Sequence, residues 1–325
     1  MNNDRLALGV VRGLQTAASP AGIFKILAVD HWDSLCELIN ADDPASVTPA
    51  ELTEFKLQLL QHAAADASAV ILDPVYSASQ AITTGSLRGQ VGFLVKAEQE
   101  AYVGQPYARR TRLIEGWSAA KAKRMGACGV KLFLHYHPLA GRLAEQQEEV
   151  AAQVARECVA AEIPFFLEPV VYSIDPALKT ESEEFATQRP SLVLESARRM
   201  AQLNPTVLKL QFPIDGNHET KESVGRQACE ELNDAISVPW AILSGGDSFE
   251  LFKTQLQIAC EAGCSGFLAG RALWSEAAQL RGPERLTAIR EIVLPRLRAL
   301  GEVADRCGTS WMAKHAMPTV HEGML

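Results

Sequence analysis

Val207-Leu208-Lys209-Leu210-Gln211-Phe212-Pro213 is an apolar run with a lysine at its third position and a proline to stop it. Continuous rather than alternating hydrophobicity marks a parallel strand covered on both faces. A lone ammonium in such a strand is costly, so a chain keeps one there only if it is paired or has chemistry to do. Two other runs repeat the oddity. Lys131 stands in Gly129-Val130-Lys131-Leu132-Phe133-Leu134, and Glu168 in Pro164-Phe165-Phe166-Leu167-Glu168-Pro169.

Outward from these runs the same pattern recurs along the chain. Strand-like segments occupy residues 26–30, 69–72, 92–96, 129–134, 164–169, 207–212, 240–244 and 266–269. Their mean spacing, roughly 35 residues, approaches the ~30 residues of a βαβ unit. Helical signals fill the gaps. Thr48-Pro49-Ala50-Glu51 is a capping box with proline at the first helical position, followed by Leu52, Phe55, Leu59, Leu60 and Ala63 at helical spacing. Leu143, Val150, Val154 and Cys158 mark a second amphipathic face, and residues 248–263 a further helix stopped by Gly263. The alternation predicts one (β/α)8 TIM barrel over residues 1–325, with 1–22 and 302–325 as peripheral segments. Residues 34–47, 83–90, 99–114 and 173–190 read as polar rim loops. An open doubly wound sheet is the alternative.

The 325 residues are 47% hydrophobic with a net charge of −8, which argues against non-specific binding to nucleic acid or to an anionic membrane surface. No stretch approaches the ~18 apolar residues of a spanning helix, and the first 22 residues lack a signal-type apolar core. A cytoplasmic protein is expected. Seven cysteines occur without a CxxC, and Cys260 and Cys264 share one helical face, so reduced thiols are the expectation.

In a β/α barrel the working groups come from the C-terminal ends of the strands and the loops beyond. That places Asp30 at the end of the first strand, Lys131 on the fourth, Glu168 on the fifth and Lys209 on the sixth. With strands ~4.8 Å apart, Glu168 should fall between the two lysines. An amine must lose its proton before it attacks a ketone, and at an ordinary pKa only about one lysine in 2,500 is neutral at pH 7. Two ammonium groups around one carboxylate would leave surplus positive charge that one lysine can shed. A Lys–Glu–Lys network that merely stabilises the barrel is the competing reading.

A second cluster closes the barrel order. Ser244-Gly245-Gly246 ends the seventh strand before the helix start Asp247-Ser248-Phe249-Glu250, and Gly270-Arg271 ends the eighth. Loops in these positions commonly hold phosphate through glycine N–H groups, a helix N-terminus and a bidentate cation. His31, beside Asp30, is a rim candidate. Asp73-Pro74 either lines the pocket or starts a turn. His135 and His137 form an HxH pair that would suit a metal but lacks evident companions. Trp32, Trp117, Trp240 and Trp274 read as packing. No GxSxG, Walker or dinucleotide fingerprint stands in a credible context, so no cofactor is expected.

The pattern resembles the tagatose-bisphosphate aldolase family of class I aldolases, which includes relatives acting on sulfosugar phosphates. The resemblance is carried by Leu27-Ala28-Val29-Asp30, Ile71-Leu72-Asp73-Pro74-Val75-Tyr76, Trp117-Ser118-Ala119-Ala120-Lys121, Val130-Lys131-Leu132-Phe133, Ile163-Pro164-Phe165-Phe166-Leu167-Glu168, Val207-Leu208-Lys209, Leu243-Ser244-Gly245-Gly246 and Gly270-Arg271-Ala272-Leu273-Trp274. It implies a TIM barrel, a metal-independent aldol cleavage, a phosphorylated sugar as partner and a homo-oligomer. By motif match Lys209 would be the Schiff-base lysine, Glu168 the proton-transfer group, Lys131 an assisting cation and Asp30 a group positioning sugar hydroxyls. Ser244, Gly245, Gly246, Gly270 and Arg271 would hold a phosphate. The family commonly follows the first-strand aspartate with Gln-Arg, where His31-Trp32 stands here, and often has a glutamate at Val75. These departures bear on a second phosphate and leave a sulfosugar phosphate as an alternative substrate. A metal-dependent lyase or hydrolase using His135 and His137, and a silent sugar-phosphate-binding barrel, are the rivals.

Overall fold

In a computed structural model, which describes residues 6–318, eight parallel strands close into a barrel in sequence order. They are β1 (Phe24–Ala28), β2 (Ala69–Leu72), β3 (Gly92–Lys96), β4 (Gly129–Tyr136), β5 (Phe165–Val171), β6 (Val207–Leu210), β7 (Trp240–Leu243) and β8 (Gly266–Ala269). Each pairs with its sequence neighbours, and β1 closes on β8. This is the TIM barrel expected from the β/α alternation.

The strands are apolar throughout because both of their faces are covered. Side chains alternate in strict period two. Leu27, Val70, Val95, Leu132, Leu167, Leu208, Ile242 and Phe267 point outward into one hydrophobic layer beneath the helices. Phe24, Ile26, Ile71, Leu94, Phe166, Val207, Ala241 and Leu268 fill the lower barrel interior as a separate cluster. Two residues further along the inward face the chemistry changes: Lys96, Lys131, Glu168 and Lys209 replace the hydrocarbons. A full apolar floor thus lies under a charged upper layer.

That floor includes segments expected to be peripheral. Helix Leu8–Ala17 lays Val10, Val11, Leu14 and Ala17 against the bottom of the barrel, and Trp311 joins the same cluster. Its Gly13 meets the Pro164 ring and the Cys128 carbonyl so closely that a Cβ would sit 2.5 Å from the ring. The chain on both sides of the barrel therefore helps to close its lower mouth. Residues 1–5 and 319–325 lie outside the described part.

The capping box at Thr48 is formed. Its hydroxyl accepts from the Glu51 N–H, the Glu51 carboxylate accepts from the Thr48 N–H, and the helix Pro49–Ala63 follows. Two expected rim loops are partly helical. The 34–47 stretch holds most of helix Asp33–Ile39 and a 3-10 turn at Pro44–Ser46. Within 173–190, helix Glu183–Ala201 begins at the Ser182 cap and continues through Pro190, because Phe185, Leu192 and Val193 bury its inner face. The 99–114 stretch is an antiparallel excursion with bridges Glu98–Leu113 and Val103–Arg110.

Candidate active site

Register explains how the charged layer assembles. Phe166 pairs with Val207 and Leu167 with Leu208, so the next residues, Glu168 and Lys209, stand side by side on β5 and β6. Lys96 is directly opposite Lys131 on β3 and β4. The result is a compact ionic cluster at the base of an open cavity of about 770 Å³ at the C-terminal mouth, where barrels of this class carry their working groups.

Lys209 Nζ lies 2.7 Å from Glu168 Oε1, and Lys131 Nζ lies 3.0 Å from Glu168 Oε2. The carboxylate sits between the two ammonium groups, as strand spacing predicts. Lys131 also donates to Asp30 Oδ2 at 3.1 Å and to Glu98 Oε1 at 2.9 Å. The surplus positive charge expected from two lysines and one carboxylate is therefore absent: Asp30, Glu98 and Glu168 together face Lys131. Burial works against the Lys131 ammonium, yet these three carboxylates outweigh it and hold its pKa well above the ordinary lysine value. Lys131 stays charged. Burial also works to raise the Glu168 and Asp30 carboxyls, but Lys131 leads the neighbouring cations in holding both below the ordinary range. Glu98 goes the other way, because burial dominates and pushes its carboxyl up. Both Glu168 oxygens therefore face an ammonium group, Oε1 that of Lys209 and Oε2 that of Lys131.

Glu98 escaped the sequence reading, although Leu94, Lys96 and Glu98 continue the inward parity of β3 beyond its apolar run. Its second oxygen accepts from the Phe133 N–H at 3.1 Å and locks β3 to β4. Lys96, 3.6 Å from Glu100 and 4.1 Å from the Trp32 ring centre, was missed as well. Glu100 in turn accepts from the N–H groups of Trp32 and Ser34, tying the loop after β3 to the loop after β1.

His31 lines the cavity, 3.8 Å from Asp30 Oδ1 and edge-on to Trp274 at 5.1 Å. Burial pushes its pKa down to about 4, so the ring is neutral near pH 7. Ser244, Gly245, Gly270 and Arg271 line the same cavity. Gly245 and Gly246 both adopt left-handed backbone, with φ of 58° and 102°, which glycine adopts at no steric cost. Arg271 donates to the Gly245 carbonyl at 3.0 Å, and Gly246 lies beneath its guanidinium rather than on the cavity wall.

Asp73 does not belong to this cavity. β2 ends at Leu72, so the inward parity of Ala69 and Ile71 stops there and Asp73 turns away into the helix layer. It pairs with Lys56 at 2.5 Å, accepts from the Ser77 hydroxyl and from the N–H groups of Val75 and Tyr76, and is wholly buried. The HxH pair also separates. β4 ends at Tyr136; His135 faces the Arg109 guanidinium at 3.3 Å, whereas His137 leaves the strand and accepts from the Leu139 N–H. Among the described residues no three His, Cys, Asp or Glu side chains converge as metal ligands.

A closed barrel with a buried lysine–carboxylate cluster at its C-terminal mouth is the architecture of a barrel lyase. The chain belongs to the DeoC/LacD family of aldolases, whose model matches residues 24–276. It is 28% identical to the tagatose 1,6-diphosphate aldolase of Staphylococcus epidermidis strain RP62A, over 94% of this chain and 98% of that one. The Staphylococcus aureus strain JH9 enzyme of the same name is also 28% identical, with 93% and 97% covered. Among solved structures, an archaeal fructose 1,6-bisphosphate aldolase superposes with a TM-score of 0.60 at 19% identity, covering 91% of this chain and 98% of that one. The fructose-bisphosphate aldolase of Plasmodium falciparum gives 0.70 at 17% identity, with 94% and 97% covered. At such identities the structural likeness speaks for the fold. Among the described residues no helix is long and apolar enough to cross a membrane.

Proposed function

We propose that this aldolase cleaves or forms a carbon–carbon bond in a ketose phosphate through a Schiff base on Lys209. The observation that carries the reading is the asymmetry of the two lysines around Glu168. Lys131 is fixed among three carboxylates, whereas Lys209 meets Glu168 alone and faces the cavity. Only the second is left without further acids around it, so that its nitrogen can be turned on a carbonyl carbon in the cavity.

Lys209 attacks the ketone carbon, and proton transfer gives a carbinolamine. Loss of water leaves an iminium. Glu168 then removes the proton from the hydroxyl on the carbon that departs as aldehyde; the C–C bonding pair moves into the iminium and leaves an enamine. Protonation of the enamine carbon and attack of water return the ketone product and the free amine. Lys131 contributes a fixed positive charge that keeps Glu168 ionised between steps. Asp30 accepts from sugar hydroxyls, with His31 beside it as a neutral hydrogen-bonding group. With dihydroxyacetone phosphate as the ketone product, its phosphate sits by Ser244, Gly245, Gly270 and Arg271, at a mouth position suited to anions.

A cleavage assay over ketose 1,6-bisphosphates and 6-sulfonated ketose 1-phosphates, run in excess chelator, tests the reading. Release of dihydroxyacetone phosphate from at least one of them is expected. Activity that disappears with the chelator would overturn it in favour of metal-dependent chemistry.

A further inference from the structure

Six cationic side chains line the cavity: Lys96, Arg109, Lys131, Arg189, Lys209 and Arg271. Four are matched by carboxylates, Lys96 by Glu100, Lys131 by its three acids, Arg189 by Asp215 and Lys209 by Glu168. Of these six, Arg109 and Arg271 have no carboxylate partner among the described residues. Arg271 follows β8. Arg109 rests on His135 of β4 and on Tyr172, just past β5. In a closed eight-stranded ring β4 stands opposite β8, so the two unmatched arginines belong to opposite sides of the mouth.

Arg109 is also held in place. Its guanidinium stacks over the rings of Tyr102 and Tyr172, at 4.9 Å and 5.0 Å from their centres. Its Nε donates to the Pro106 carbonyl at 2.8 Å, and its backbone N–H donates to the Tyr172 hydroxyl at 3.1 Å. Burial, and then Arg109 itself, push the His135 pKa down to about 3, so the contact at 3.3 Å is a cation against a neutral acceptor. These contacts orient the guanidinium without neutralising it. At ~3.3 Å per residue, His135 stands roughly 13 Å along β4 from Lys131, several carbon–carbon bonds from the lysines.

We infer that Arg109 is the residue that selects the aldehyde half of the substrate, by receiving a tetrahedral oxyanion, phosphate or sulfonate, at its far end. The inference rests on the aldolase reading above. It places second-anion recognition on the loop after β3. A planar, weakly hydrated fork fixed in advance suits such a group, and each charge-assisted bond lost on its removal is costly.

The test is condensation of dihydroxyacetone phosphate with three-carbon aldehydes that end in phosphate, in sulfonate or in a neutral hydroxyl. Native enzyme should prefer an anionic acceptor, and the stronger of the two identifies the group. Arg109→Gln should lower kcat/KM for that acceptor by ten- to a hundredfold, mostly through KM, and change the neutral acceptor by less than about threefold. Arg109→Lys should recover part of the loss. Equal losses on charged and neutral acceptors, or a native preference for the neutral aldehyde, would overturn the inference. Borohydride inactivation of native and Arg109→Gln enzyme by dihydroxyacetone phosphate alone separates the two levels: that ketone has no distal anion, so failure there removes the Schiff-base reading and this inference with it.

Discussion

Two buried lysines in this barrel have opposite surroundings. Lys56 and Asp73 are both wholly inaccessible, one on the helix Pro49–Ala63 and the other in the turn after β2. Their contact is one to one, and Asp73 receives further donors from Ser77 and two backbone N–H groups. Neither residue lines the cavity at the barrel mouth. The cluster around Lys131 is unbalanced and open: three carboxylates meet two ammonium groups at the base of the cavity. A closed pair supports the fold. An open cluster that lines a cavity is suited to chemistry, and that difference, rather than burial alone, separates structural from catalytic charge.

The largest effect expected from this contrast is at Lys209. Lys209→Met should lower kcat by roughly 10⁴-fold or more, with the thermal midpoint little changed. A variant that keeps activity within tenfold would remove Lys209 from the chemistry. The mirror experiment is Lys56→Met, which leaves Asp73 buried and unpaired. A stability loss of about 3–5 kcal/mol is expected by denaturant titration, with kcat per folded molecule intact. The double variant Lys56→Met/Asp73→Asn should regain much of that loss, because it leaves no buried charge.

Lys131→Met sharpens the comparison from the other side. Burial already favours the protonated Glu168 carboxyl, and Lys131 is the leading opposing influence. Removing it should move the acid limb of the pH–kcat profile upward by about 1–3 pH units. An unmoved limb would show that Lys131 does not set the ionisation of Glu168. The smallest effect is expected at His31. Its pKa is about 4 folded against 6.5 for an ordinary histidine, so between those values the unfolded chain binds the proton and the folded one does not. Stability should fall as the pH drops through that window, by at most about 3 kcal/mol given that the ring is partly exposed. His31→Gln should flatten that slope.

Most of the fold was legible in the sequence because parallel strands buried on both faces leave continuous apolar runs, and the helices between them carry caps as explicit as Thr48-Glu51. The ionic cluster was legible for the same reason, since Lys131, Glu168 and Lys209 interrupt hydrocarbon. Glu98 was not, because it lies just past the last apolar residue of β3, where composition no longer distinguishes strand from loop. Asp73 stayed open between pocket wall and turn because its partner Lys56 is on a helix that packs outside the barrel, and sequence spacing does not reveal that contact. Arg109 carried no local signal at all. Its significance comes from the carboxylates that do not reach it, which is a property of the assembled cavity.

Adduct mapping addresses the contrast most directly. The enzyme is reduced with borohydride in the presence of dihydroxyacetone phosphate, digested, and the modified peptide located by mass. The adduct is expected on the peptide carrying Lys209, with Lys131, Lys96 and Lys56 unmodified. An adduct on Lys131, the lysine held among three acids, would contradict the division between fixed cation and nucleophile.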